Sequence, residues 1–328
     1  MARQDLPTPV TSVLALEAPR KKDWRDRLPV LSHLRQSVGL QRGMLIAGLI
    51  ICGVFVLVAL GAQWIAPYTW AQQGIDGVSF GAQQAPNATN LLGTTVSGFD
   101  VLSRVIWGAQ TALFVIVAAI LCSIFLGIAL GLISGYFGGI LDRVLVVICD
   151  AIYAFPSLLL AIVMSIVISR GQSTLMGGIL ATALSITVVF VPQYFRVIRA
   201  EVVRVRSEPF VEAARVIGVP THRILLKHVL RNSTRSLPVI ITLNASEALL
   251  TLAGLGFLGF GIEATAAAEW GYDLNRSVAD VTSGIWWTSV FPGAAIVLVV
   301  MGVTLVGESL NDLADPRLRT RKRAKGKK

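Results

Sequence analysis

Six stretches of this sequence run for about twenty residues or more with at most one charged side chain, and that recurrence leaves one class of fold open. They are 44–66, 111–133, 144–168, 174–195, 237–262 and 285–306. At about 1.5 Å of rise per residue each is long enough, as a helix, to cross a hydrocarbon layer of roughly 30 Å. In lipid every backbone N–H and C=O must be satisfied within the segment, so the spans are helices. Only 15% of the residues are charged and 54% are hydrophobic, whereas a soluble domain carries about a quarter charged residues. The expectation is an all-α polytopic membrane protein with six transmembrane helices.

The charges follow the spans. Of the 29 Lys and Arg residues, only Arg104, Arg170 and Arg276 fall in loops assigned outside; the rest lie in 1–43, at Arg143, in 196–237 or in the C-terminal tail. The positive-inside rule then puts both termini and the loop 196–236 in the cytoplasm. This confinement to loops beside apolar runs explains the net charge of +10 without nucleic acid. The chain divides into a cytoplasmic tail 1–43, partly disordered by composition, a membrane domain 44–308 and a basic tail 309–328. The first apolar run starts too far in, and is too long, for a cleaved signal peptide.

The polar stretch 196–237 is the informative one. Ser207 is placed to cap a helix with Pro209 in its first turn, and Gly218 followed by Pro220 stops it after three turns. Phe210, Ala213, Ala214 and Ile217 fall at i, i+3, i+4 and i+7 and form one apolar face, with Glu212 and Arg215 elsewhere. Thr221 is placed to cap a second helix through Ile224, Leu225 and His228. So short a helix needs a surface, either a protein groove or anionic headgroups.

Here the sequence resembles the membrane permease subunits of binding-protein-dependent ABC importers. Their cytoplasmic loop carries Glu-Ala-Ala, a Gly four residues on and a His-x-Leu-Pro ending; this chain has Glu212, Ala213, Ala214, Gly218, Ile224, His228 and Leu230, with Arg231 in place of the Pro. The run 92–104, LGTTVSGFDVLSR, is similar to the dipeptide/oligopeptide/nickel branch, with departures at Thr95 and Phe99. DAIYAFPSLLLAI at 150–162 and Trp270-Gly271 also suit that branch; the Asp-Pro-Arg-Leu from Asp315 resembles the family at large, while Thr251 and Leu252 depart from the family's pattern.

The resemblance implies the type I permease fold and a coupling helix built on Phe210, Glu212, Ala213, Ala214, Arg215 and Gly218, with His228 beyond it. It also implies partners: a second, unlike permease, two ATP-binding cassette subunits that carry ATP and Mg, and an extracytoplasmic binding protein. The expected location is a bacterial or archaeal inner membrane, and the expected cargo short peptides, with nickel or another small solute as alternatives. No GxxxxGK[ST], HExxH or GxSxG occurs, so a permease without catalytic residues is expected, with ATP hydrolysed on another chain. A single-component transporter would need a charged relay within the spans, and only Asp150 and Glu247 are available.

Asn244, Glu247 and Thr251 lie at i, i+3 and i+7, a polar stripe that suits either a translocation path or a hydrogen-bond network between helices. Asp150 belongs to the same two readings. Gly127, Gly131, Gly135 and Gly139 recur at four-residue steps and point to close helix packing. The GxGxxG at Gly254, Gly256 and Gly259 follows no strand and is read as packing, not dinucleotide binding. The odd count of cysteines (Cys52, Cys122, Cys149), with no CxxC, implies neither a disulfide framework nor a metal site. His33, His222 and His228 have no ligand partners at useful spacing.

Overall fold

Helix α1, Leu40–Leu60, turns Ile50, Val54 and Leu57 outward, as a helix surrounded by lipid must. This computed structural model describes residues 40–169 and 175–314; most of the tails expected at 1–43 and 309–328, and the turn at 170–173, lie outside the described residues. A one-turn helix α2, Ala62–Ile65, leads to strands β1, Gly74–Ile75, and β2, Val78–Ser79. Asp76 and Gly77 join them with φ of 49° and 80°, the backbone a tight two-residue hairpin demands.

Helix α3, Val101–Phe137, has 37 residues and starts earlier than the span expected at 111. The reason is local: the Asp100 carboxylate accepts from the Ser103 N–H at 2.8 Å and so caps the helix within the stretch read as loop. The third apolar run differs more. It forms α4, Gly139–Tyr153, and α5, Ser157–Ser169, bent by 99°. Pro156 supplies no N–H and disfavours helical geometry at Phe155, so the helix breaks there instead of kinking.

Helix α6, Leu175–Arg206, by contrast, continues past Pro192 and into the segment taken for loop from 196. Packing accounts for it. A Cβ on Gly131 would sit 2.9 Å from the Phe195 carbonyl, and one on Gly135 would sit 2.9 Å from that of Arg199. Tyr194, Phe195, Ile198 and Val202 of α6 press onto this glycine face of α3 on the far side of Pro192, and that contact outweighs one missing hydrogen bond. Gly139, the fourth glycine of the series, has open space around it and serves the turn at φ 70°. Gly131→Leu should therefore lower the melting point of the purified protein by the equivalent of about 1–3 kcal/mol, the range for overpacking. Gly53→Leu, at a lipid-facing glycine with nothing within 4 Å, should leave it unchanged.

Helix α7, Pro209–Val216, follows, then α8, which winds through Thr221–Arg223, a π-helical turn Ile224–Val229 and Leu230–Ser233. Helix α9 is Leu237–Phe257, α10 is Trp270–Thr282 and α11 is Trp287–Ala314. The fifth span thus ends before 262, and the sixth runs well past 306. Helices α1, α3, α6, α9 and α11 are long and apolar enough to cross a membrane, and the bent pair makes six if counted as one span. Helix α10 was read as loop. It is held on α9 where Gly271 meets the Ala253 backbone and Gly256 meets Glu269, so the Gly-rich run is a helix-packing surface that ends in a turn at Gly259, φ 82°.

Candidate functional site

Three places concentrate polar and exposed chemistry. The first is α7. Gly218 adopts φ 78°; its N–H bonds the Arg215 carbonyl at 3.0 Å while the Val219 N–H bonds that of Ala214 at 3.0 Å, the paired closure that ends a helix on a left-handed residue. The start differs from expectation: Glu208 occupies the N-cap without a side-chain bond, and the Ser207 hydroxyl instead donates to the Arg204 carbonyl at 2.8 Å. Pro220, not Thr221, likewise sits at the N-cap of α8. The result is a helix of 8 residues, shorter than three turns.

The face it buries also differs. Val211 and Ala214 pack against α6 and α8, while Phe210 is 43%, Val216 87% and Ile217 78% exposed, and Ala213, Glu212 and Arg215 are exposed with them. The apolar stripe at 210, 213 and 217 is therefore uncovered among the described residues. The helix is tied to α3 nonetheless. The Arg215 guanidinium lies 5.4 Å from the Tyr136 ring centroid, and Arg206 Nη1 donates to the Gly135 and Tyr136 carbonyls at 2.9 and 3.1 Å. Arg206 so satisfies carbonyls that the end of α3 leaves open, and Arg199 Nη2 binds Asp142 at 2.7 Å beside it. His228 is half-buried in the π turn, its carbonyl accepting from Asn232 Nδ2 at 2.7 Å.

The second place is inside the bundle. Glu247, at the middle of α9, lines a cavity of about 250 Å³ with Gln193 of α6 and Tyr153, Phe155 and Ser157 from the α4–α5 bend. The structure divides the polar stripe. Asn244 is buried facing Tyr194, close enough to interact though outside hydrogen-bond geometry, and the Thr251 hydroxyl turns back to the Glu247 carbonyl at 2.9 Å. Only Glu247 opens onto space. Asp150 is half-exposed and paired with Arg196 at 2.9 Å, and Arg196 stacks 4.2 Å from the Tyr153 ring centroid. Sequence reasoning missed Gln193; a polar side chain beside Pro192 in an apolar run was the signal that could have found it.

The third place is a clasp between the N-terminal end of α3 and α10. Arg104 is 1% exposed, and its Nε bonds both Asp273 oxygens at 2.7 and 2.8 Å, joining α3 to α10; Nη1 reaches the Trp70 carbonyl at 3.1 Å. Trp270 Nε1 donates to the Val105 carbonyl at 3.0 Å over Gly108, where any Cβ would strike the indole. Glu269 caps α10, accepting from the Gly271 and Tyr272 N–H groups at 2.8 and 2.7 Å.

Burial pushes the Glu269 carboxyl up to about 8 against those two bonds, and burial pushes Asp273 the same way against Arg104. A raised carboxyl binds a proton in the folded state that the unfolded chain has released. Its stabilisation is complete below the ordinary value of 4.5 and is lost as pH climbs through about 8. The melting point should fall across that window, and Glu269→Gln should flatten the slope.

The family model for the binding-protein-dependent transport system inner membrane component matches residues 127–320. The chain belongs to that family. The permease is also 35% identical over 275 residues, 84% of its length and 86% of the other's, to the dipeptide transport system permease protein DppC of Alkalihalophilus pseudofirmus. It is 34% identical over 266 residues to the glutathione transport system permease protein GsiD of Escherichia coli and of Shigella boydii, covering 81% of this chain and 84% of each of those. These likenesses place it in the dipeptide/oligopeptide branch of ABC importer permeases, a multi-pass membrane protein of all-helical fold. Within this permease the motif residues around 98–104 have structural work: Gly98 turns at φ 74°, Asp100 caps α3 and Arg104 holds α10.

Proposed function

We propose that this permease forms half of a path for short peptides through a bacterial inner membrane, and that α7 is the lever by which a separate ATPase works it. The uncovered stripe Phe210, Ala213 and Ile217, with Val216 beside it, carries the reading: an apolar face on a helix that packs through Val211 and Ala214 and meets Tyr136 of α3 through Arg215 fits a groove on another subunit. Glu212, Ala214, Arg215 and Gly218 shape that helix, and His228 supports the segment behind it. Two ATP-binding cassette subunits carry ATP and Mg, a second and unlike permease completes the path, and an extracytoplasmic protein delivers the peptide. Both termini lie in the cytoplasm, in accord with the basic residues gathered at 1–43, 196–237 and the C-terminal tail. The chain itself catalyses nothing.

The relatives' names, dipeptide and glutathione permeases, favour short peptides as cargo. Purification from the native membrane in mild detergent, with a cysteine at Val216 cross-linked to its neighbour, tests the arrangement. Cross-linking to an ATP-binding subunit supports it; cross-linking only to lipid, or labelling of the cysteine from outside intact cells, overturns it.

A further inference from the structure

Glu247 has no ion pair or side-chain hydrogen bond among the described residues, although it stands at the centre of a spanning helix. A carboxylate there is costly unless it faces water or a cation. The surroundings suit the second. Around the cavity stand neutral Gln193 and Ser157 and the rings of Tyr153 and Phe155, whose faces attract cations. The nearest positive side chain along α6, Arg196, is already paired with Asp150 at 2.9 Å and stacks 4.2 Å from the Tyr153 ring centroid. Among the described residues the cavity therefore carries one carboxyl group and no cation, an arrangement that attracts an ammonium group.

We infer that Glu247 is a transient subsite for a protonated amino group on the solute as it passes the middle of the membrane, with Gln193 and Ser157 accepting or donating beside it. The inference rests on the proposed peptide import, because a peptide with a free amino terminus carries such a group. A volume of about 250 Å³ holds one amino-acid residue end but not a whole oligopeptide, so the site reads one terminus at a time. Its worth for transport is moderate by design, since a site that held the cation tightly would not release it.

The experiment uses the complete transporter in proteoliposomes, with its binding protein and labelled dialanine, and records uptake and ATP hydrolysis together. Glu247→Gln should lower dialanine uptake per ATP by about tenfold, the loss of a single charge partner, while ATPase stimulation by loaded binding protein stays within about twofold. Glu247→Asp should retain most of the uptake, and Glu247→Lys, which places its own ammonium in the cavity, should abolish it. Unchanged uptake per ATP in Glu247→Gln overturns the subsite. So does a parallel fall of uptake and ATPase in both the Gln and Asp variants, which marks a structural role or a pairing with the second permease. A wild-type transporter that hydrolyses ATP but imports no peptide overturns the peptide reading instead, whatever Glu247 does.

Discussion

Val216→Asp combined with Ile217→Asp should cut ATP-driven uptake by at least about a hundredfold and strip the ATPase from the purified complex. Both side chains are almost fully exposed in this chain, at 87% and 78%, so the carboxylates meet water when the permease stands alone and its own melting point should not move. In a docked complex the same positions are desolvated. Burying an unpaired charge at the centre of an interface commonly costs about 2–4 kcal/mol per residue, and every 1.4 kcal/mol is roughly tenfold in affinity. Pull-down, uptake and thermal melting are read on the same preparation. Stable ATPase binding with undiminished uptake would reject coupling through this face. Gly218→Val gives a second handle: it puts a β-branched residue at φ 78° and opens the turn that fixes the end of α7, so coupling should weaken even though no contact surface is altered.

Arg104→Met should destabilise the folded permease by about 3–5 kcal/mol, because it leaves Asp273 buried without its partner. Arg104→Lys should not rescue it. A lysine ammonium has no planar fork, and one cation cannot both meet the two Asp273 oxygens and reach the Trp70 carbonyl as Nε and Nη1 do now. The double variant Arg104→Met with Asp273→Leu should regain most of the loss, since a buried pair replaced by apolar side chains of similar size is often neutral. Melting of the three variants in detergent separates these outcomes. A mild effect of Arg104→Met alone would mean that α10 parts from the end of α3 without disturbing the spans, and the clasp would then not be a stability element.

The segment around α7 shows how far the chain's chemistry could be read along its length. Gly218 and the Pro after it marked the end of α7 correctly, because a left-handed residue is a local requirement that only glycine meets cheaply. The buried face was not legible. Periodicity grouped Phe210, Ala213, Ala214 and Ile217, yet Val211 and Ala214 are the ones that pack, since the rotation of a short helix is set by what it lies on and not by its own stripe. The stripe left over is the candidate docking surface. The polar residues of α9 behaved alike: spacing put Asn244, Glu247 and Thr251 on one side, and the tertiary fold gave one to Tyr194, one to its own backbone and one to a cavity.

The sequence by itself determined that this is a helical, multi-pass membrane protein with the motif residues of an importer permease, and it set the expectation for which way the basic loops face. Those follow from the length of apolar runs, from charge placement and from residues whose backbone needs are local. Only the tertiary structure decided that Pro156 breaks a helix while Pro192 does not, that Arg104 and Asp273 meet across 169 positions, and that Glu247 faces open space. The reason is common to all three. Each outcome depends on what a distant helix presents at that point, glycines under Pro192, an acid opposite Arg104 and a bend beside Glu247, and no local pattern carries that information.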